Sequence, residues 1–162
     1  MKLKYLSFLI ILFFAGNVSK AQLTTHTLVT AGYEYQNSNF LELGGKLLFL
    51  KNDDLIFRLG ASGLFGVANG KFAALPKVQG DILLNTQKNV DIRHSYYFLA
   101  GAEVTTKYIA PKAGISIFGI VDLSAGYAFS FDKEGVNGKE LKGFNLNFTL
   151  NIPTVAIKEL AN

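Results

Sequence analysis

Along most of the chain, large apolar residues and small or polar ones alternate one by one. The clearest run is Phe144-Asn145-Leu146-Asn147-Phe148-Thr149-Leu150-Asn151-Ile152, apolar at every even position and Asn or Thr at every odd one. Between Gly119 and Phe131 the odd positions include Val121, Leu123, Ala125, Tyr127, Phe129 and Phe131, and the even ones Asp122, Ser124, Gly126 and Ser130. From Leu55 to Val67, Leu55, Phe57, Leu59, Ala61, Phe65 and Val67 share one face, with Arg58, Gly60, Ser62 and Gly66 on the other. Side chains alternate across a strand with period two, so these runs predict strands with two unlike faces. Five further runs, 24–36, 39–50, 71–86, 92–105 and 107–117, alternate with a few exceptions, among them Leu28, Phe40, Leu48 and Leu99 on the polar side. Turn-forming clusters separate them: 36–39, 51–54, Ala68-Asn69-Gly70, 86–89 and the longer 132–140. No helical period is sustained. The pattern predicts an all-β chain of eight antiparallel strands, joined up-and-down.

The first 21 residues read differently. Met1-Lys2-Leu3-Lys4 is a basic start, Leu6 to Ala15 an apolar stretch, and Ser19-Lys20-Ala21 puts small residues where a signal peptidase cuts. The expected organisation is a signal peptide at 1–21, a barrel domain at 22–152 beginning at Gln22, and a short C-terminal tail at 153–162. Removing Lys2, Lys4 and Lys20 with the leader lowers the net charge from +4 to +1. The basic balance therefore belongs to the targeting segment, and no nucleic-acid partner is expected. Charged residues are only 17% of the chain, against about 25% in soluble domains. With no cysteine, disulfides, thiolate metal sites and a cysteine nucleophile are excluded.

The polar faces carry ten scattered charges: Glu34, Glu42, Lys46, Arg58, Lys77, Asp81, Arg93, Glu103, Lys112 and Asp122. Five are acidic and five basic, a balance that suits a closed lumen where charges must pair. The opposite faces hold the large aromatics near strand ends. Tyr33, Tyr35, Phe65, Phe72, Tyr127, Phe129, Phe131 and Phe144 would lie near one rim, and Phe49, Phe57 and Tyr96 near the other. Such girdles mark membrane barrels.

In this patterning, and in segments such as Val29-Thr30-Ala31-Gly32-Tyr33-Glu34-Tyr35 and Asp122-Leu123-Ser124-Ala125-Gly126-Tyr127-Ala128-Phe129, the chain resembles the small eight-stranded outer-membrane β-barrel proteins of Gram-negative envelopes. The resemblance spans about 24–152. It implies a transmembrane barrel with apolar residues facing lipid, outer-membrane lipid and the insertion machinery as partners, and a periplasmic N-terminus. Many such barrels end on an aromatic residue; this last strand ends near Ile152.

Little here points to catalysis. Barrels of this kind that act on lipid A place His and Ser near the outer rim, whereas His26 and His94 fall near the periplasmic starts of their strands. Asp53-Asp54 is a common turn pair, and Asp132-Lys133-Glu134-Gly135 lacks the repeated oxygen ligands of a calcium loop. No cofactor, metal or catalytic residue is expected. The leading reading is a non-enzymatic outer-membrane barrel with a structural, protective or surface-interaction role. A narrow proton or small-solute channel, a soluble periplasmic ligand-binding barrel and a lipid-modifying enzyme are the alternatives. Three finer expectations follow. Lys112 should sit opposite about Ser124 and pair with Asp122. Lys46 should neutralise Glu42 beside Glu34. The 132–142 connection should be an outer loop with little to hold it in place.

Overall fold

Eight strands form in chain order in the computed structural model, which describes residues 24–52, 55–85 and 96–160. They are β1 (Thr24–Gln36), β2 (Asn39–Asn52), β3 (Leu55–Ala68), β4 (Lys71–Asn85), β5 (Tyr96–Thr105), β6 (Tyr108–Ile117), β7 (Val121–Ser130) and β8 (Gly143–Pro153). Each pairs antiparallel with the next, and β8 returns to β1, closing the barrel. Closure leaves no strand edge without a hydrogen-bonding partner strand. The expected leader at 1–21 with its junction at Gln22, the pair Asp53-Asp54, the turn expected at 86–89, Arg93 and His94 lie outside the described residues.

The register measures how the strands are staggered. Thr24 leads through Leu50, Ile56, Leu83, Leu99, Gly114, Ser124 and Asn147 back to β1 at Glu34, ten residues further on. With eight strands, that stagger corresponds to a tilt of roughly 40° from the barrel axis. Two inward glycines permit close approach of neighbouring backbones. A Cβ on Gly44 would fall 2.3 Å from Ala61 O, and one on Gly114 2.0 Å from Leu123 O.

Pro76 and Pro111 sit within strands, each where one neighbouring ladder is open, so the missing N–H costs little. Pro76 pairs with Gly63 on β3, while the β4–β5 pairing starts only at Lys77. Pro111 pairs with Ala102 on β5, and the β6–β7 register skips from Ile109 to Lys112. The β3–β4 hairpin therefore stands above its β5 neighbour at the end where the 132–142 loop lies.

The tight turns follow turn chemistry in one case and defy it in another. Asn69 and Gly70 (φ 49° and 71°) suit a two-residue turn with both residues left-handed. Phe118 and Gly119 adopt the same geometry (φ 53° and 66°), closed by Ile120 N donating to Ile117 O at 2.9 Å. A bulky residue held there costs about 1–2 kcal/mol. Past β8 the chain forms a short helix, α1 (Thr154–Leu160). Pro153 ends the β8 ladder because it has no N–H to donate, and Thr154 Oγ1 donates to Thr27 O at 3.2 Å, tying the helix to β1.

Candidate functional site

The inside of the barrel is stacked in three layers. Toward the end that carries the β1–β2, β3–β4 and β7–β8 connections, Phe40, Leu64, Leu75, Tyr108 and Leu141 pack as a buried apolar cluster. Toward the other end, Ile56, Leu83, Tyr97 and Leu99 form a second cluster, with Leu48 and Leu50 against it. The charged side chains lie between the two. Phe40, Leu48 and Leu99, which break the alternation, are thus members of the two plugs, and Leu28 is buried among the inward residues.

All nine described members of the predicted charge set are buried inside: Glu34, Glu42, Lys46, Arg58, Lys77, Asp81, Glu103, Lys112 and Asp122. They divide into two groups. In the first, Lys77 Nζ lies 2.7 Å from Glu34, 2.8 Å from Glu42 and 3.4 Å from Glu103, and Lys112 Nζ lies 3.0 Å from Glu103. In the second, Arg58 Nη2 donates to Asp122 at 2.8 Å and to Asp81 at 3.5 Å, and Lys46 Nζ lies 3.3 Å from Asp122 and 3.8 Å from Asp81. Gln79 joins the groups: its Nε2 donates to Asp81 at 2.9 Å, and its Oε1 accepts from Lys112 at 3.3 Å.

Two expected pairings are corrected. Lys112 does not pair with Asp122. The turn at Phe118-Gly119 sets Ile117 opposite Val121 and hence Lys112 opposite Gly126, two residues from Ser124. An even slip preserves the face, so both side chains still point inward, but the tilt brings Lys112 to Glu103 on β5 and Asp122 to Arg58 and Lys46 across the lumen. Glu42 likewise takes its direct ion pair from Lys77, while Lys46 goes to the two aspartates. Glu34 and Glu42 do face one cation, but it comes from β4.

The neutral members went unrecognised in the sequence. The Tyr108 phenol is fully buried, donates to Glu34 and lies 3.2 Å from Glu103. Ser116 and Asn151 donate to Asp122 at 2.6 and 2.7 Å, Asn145 to Glu103 at 3.0 Å, and Ser62 to Glu42 at 2.8 Å. The signal for Tyr108 was present: it shares the even-numbered face of its strand with Lys112. The Asn residues of β8 showed themselves as a polar face, though without an assigned partner.

The 132–142 connection is also corrected, since it is held at several points. Leu141 is fully buried and Val136 packs on the apolar cluster beneath it. Asn137 Nδ2 donates to Phe72 O at 3.1 Å, Lys71 O at 3.3 Å and Ala68 O at 3.4 Å, clasping the tall β3–β4 hairpin. Asn69 returns a bond to Asn137 O at 3.0 Å, and Asn37 of the first hairpin reaches Glu140 O at 2.9 Å. At its start, Lys107 hydrogen-bonds Asp132 at 3.0 Å and holds that carboxyl below the usual carboxylate range.

The outside of the barrel is the reverse of the inside. Outward positions are apolar around all eight strands, as in Leu41, Leu59, Val78, Phe98, Ile115, Leu123 and Phe148. The predicted aromatics Tyr33, Tyr35, Phe65, Phe72, Tyr127, Phe129, Phe131 and Phe144 are exposed at one rim, and Phe57 and Tyr96 toward the other. His26 is exposed at the edge of β1. Among the described residues, no three His, Cys, Asp or Glu side chains are grouped to hold a metal ion. Comparison with protein-family models, curated proteins and solved structures finds no match.

Proposed function

We propose that this chain is a sealed, non-enzymatic barrel of a Gram-negative outer membrane, exported by the segment 1–21 and placed by the outer-membrane insertion machinery. The observation that carries the reading is the inverted distribution of polarity. The described charges of the strand interiors point inward, and a continuous apolar wall points out. On β3 that wall runs from Phe57 to Val67, about 25 Å along the axis at this tilt, the height of the apolar band of membrane barrels. A soluble barrel would have to keep this wall in water, where exposed apolar patches rarely exceed a few hundred Å².

Its role is mechanical and interfacial. Hydrogen bonding that closes on itself satisfies the backbone in lipid, and the ion-paired layer stiffens the lumen. Two apolar plugs above and below that layer favour a barrel that does not conduct, over the channel alternative. The direct test is a gel comparing unboiled and boiled protein from a membrane fraction. The expected result is a membrane-associated species that changes mobility on heating. Recovery in the soluble fraction with no heat-dependent shift would overturn the reading. In planar bilayers the expected record is flat, and unitary current steps would refute the sealed lumen.

A further inference from the structure

At the end opposite the 132–142 loop, the apolar layer formed by the described residues does not fill the barrel mouth. It leaves a cup of about 240 Å³, walled chiefly by Leu28, Leu48, Leu50, Ile56 and Tyr97, with His26 also in its lining and Phe118 at its rim. Leu83 and Leu99, both fully buried, pack in the same apolar layer. Below it lies the Arg58 guanidinium, whose Nη1 is 3.5 Å from O of Gly119, itself part of the cup's lining. Its charge is already answered, because Arg58 and Lys46 face Asp81 and Asp122, two cations to two anions. Nothing at the floor calls for a ligand charge.

The rim holds a second peculiarity. Phe118 occupies a left-handed position that Asn or Gly would take without strain, and it remains 56% exposed. Backbone strain concentrates where a side chain is needed for something other than folding. Here the strained residue lines the mouth of an apolar cavity.

We infer that this cup binds a single unbranched alkyl chain, methyl end inward and polar head outward. An apolar cavity of about 150 Å³ stays dry and takes benzene, so one of this size has room for roughly eight to ten carbons. The described walls are apolar apart from His26, and with the neutralised floor they suit hydrocarbon, the head group lying toward the mouth. The cup lies at the end of the barrel and is independent of whether its outer wall meets lipid. The chain could come from a free single-chain amphiphile or from the tail of a bilayer lipid.

The chain has no tryptophan, so one introduced indole reports cleanly. The full chain, held in amphipathic polymer, is given a Tyr97→Trp reporter and titrated with 1-bromooctane, whose bromine quenches indole on contact. The expected result is saturable quenching that decanoate reverses, against a shallow linear loss for a Leu59→Trp reporter on the outer wall. Adding Ile56→Phe to the Tyr97→Trp chain fills the cup and should abolish the saturable phase. Phe118→Asn suits the turn better, so the fold persists while the quenching midpoint rises about fivefold. Linear quenching at Tyr97→Trp that decanoate leaves unchanged, or a midpoint indifferent to Phe118→Asn, would overturn the inference. Nanodiscs of brominated phospholipid then separate the sources. Quenching of Tyr97→Trp before any bromooctane is added identifies a lipid tail as occupant, and its absence a free amphiphile. Failure of the chain to enter nanodiscs would count against the membrane reading alone, with the polymer titration still deciding the cup.

Discussion

Lys77 Nζ stands 2.7 Å from the carboxylate of Glu34, a residue 43 positions earlier in the chain, with both side chains shut away from solvent. The same ammonium meets Glu42 and Glu103, so one cation holds three carboxylates together. Removing one member of a buried ionic group costs more than the group contributes, because the partners are left desolvated and unpaired.

Lys77→Met is therefore expected to destabilise the barrel by about 3–5 kcal/mol, whereas Lys133→Ala in the exposed loop should stay within about 0.5 kcal/mol. Urea unfolding of the refolded protein measures both. The double variant Lys77→Met/Glu42→Gln should recover part of the loss, since one orphaned charge is gone. Equal midpoints for Lys77→Met and Lys133→Ala would contradict the network.

Asp122 gathers Arg58, Lys46, Ser116 and Asn151, while Asp132 meets Lys107 at a partly exposed site. Asp122→Ala should lower stability by about 3–5 kcal/mol, and Asp132→Ala by far less, because water screens its exposed pair with Lys107. The same denaturation series separates them.

The loop clasp is testable by proteolysis. Trypsin applied to the folded protein should cut slowly after Lys133, Lys139 and Lys142, because Asn137 and Leu141 pin the segment to the barrel. Asn137→Gly keeps the left-handed backbone (φ 53°) and deletes the side-chain bonds. Losing about 1–2 kcal/mol of tethering should raise the cleavage rate roughly tenfold. Rapid cutting of the unaltered loop would restore the picture of an untethered segment.

At the other end, Phe118→Asn should stabilise the fold by about 1 kcal/mol, by placing at the turn a residue that accepts a positive φ. A higher unfolding midpoint is the expected reading. A lower one would mean that the phenyl ring contributes more by packing than its backbone loses by strain.

How much of this was legible beforehand follows from the range of each interaction. Alternation is local, so the eight strands and the inward charged face could be read from neighbouring residues. Even the breaks at Leu28, Phe40, Leu48 and Leu99 were visible, because an apolar residue on a polar face violates the period by itself. Their meaning was not visible: that Phe40 joins one plug while Leu48 and Leu99 join the other depends on height along the barrel axis, which single strands do not define. The pairing of Lys112 with Glu103 and of Asp122 with Arg58 has the same origin. A stagger of ten residues around eight strands turns sequence neighbours away from one another and brings residues from opposite walls to one level. The 132–142 loop, rich in Gly and Asn, carries no local sign of the hairpin it clasps, since β3 and β4 outgrow β5 only once the sheet has closed. Period-two chemistry sets which way a side chain points; closure, tilt and stagger decide what it meets, because those are properties of the whole ring of hydrogen bonds and of no strand alone.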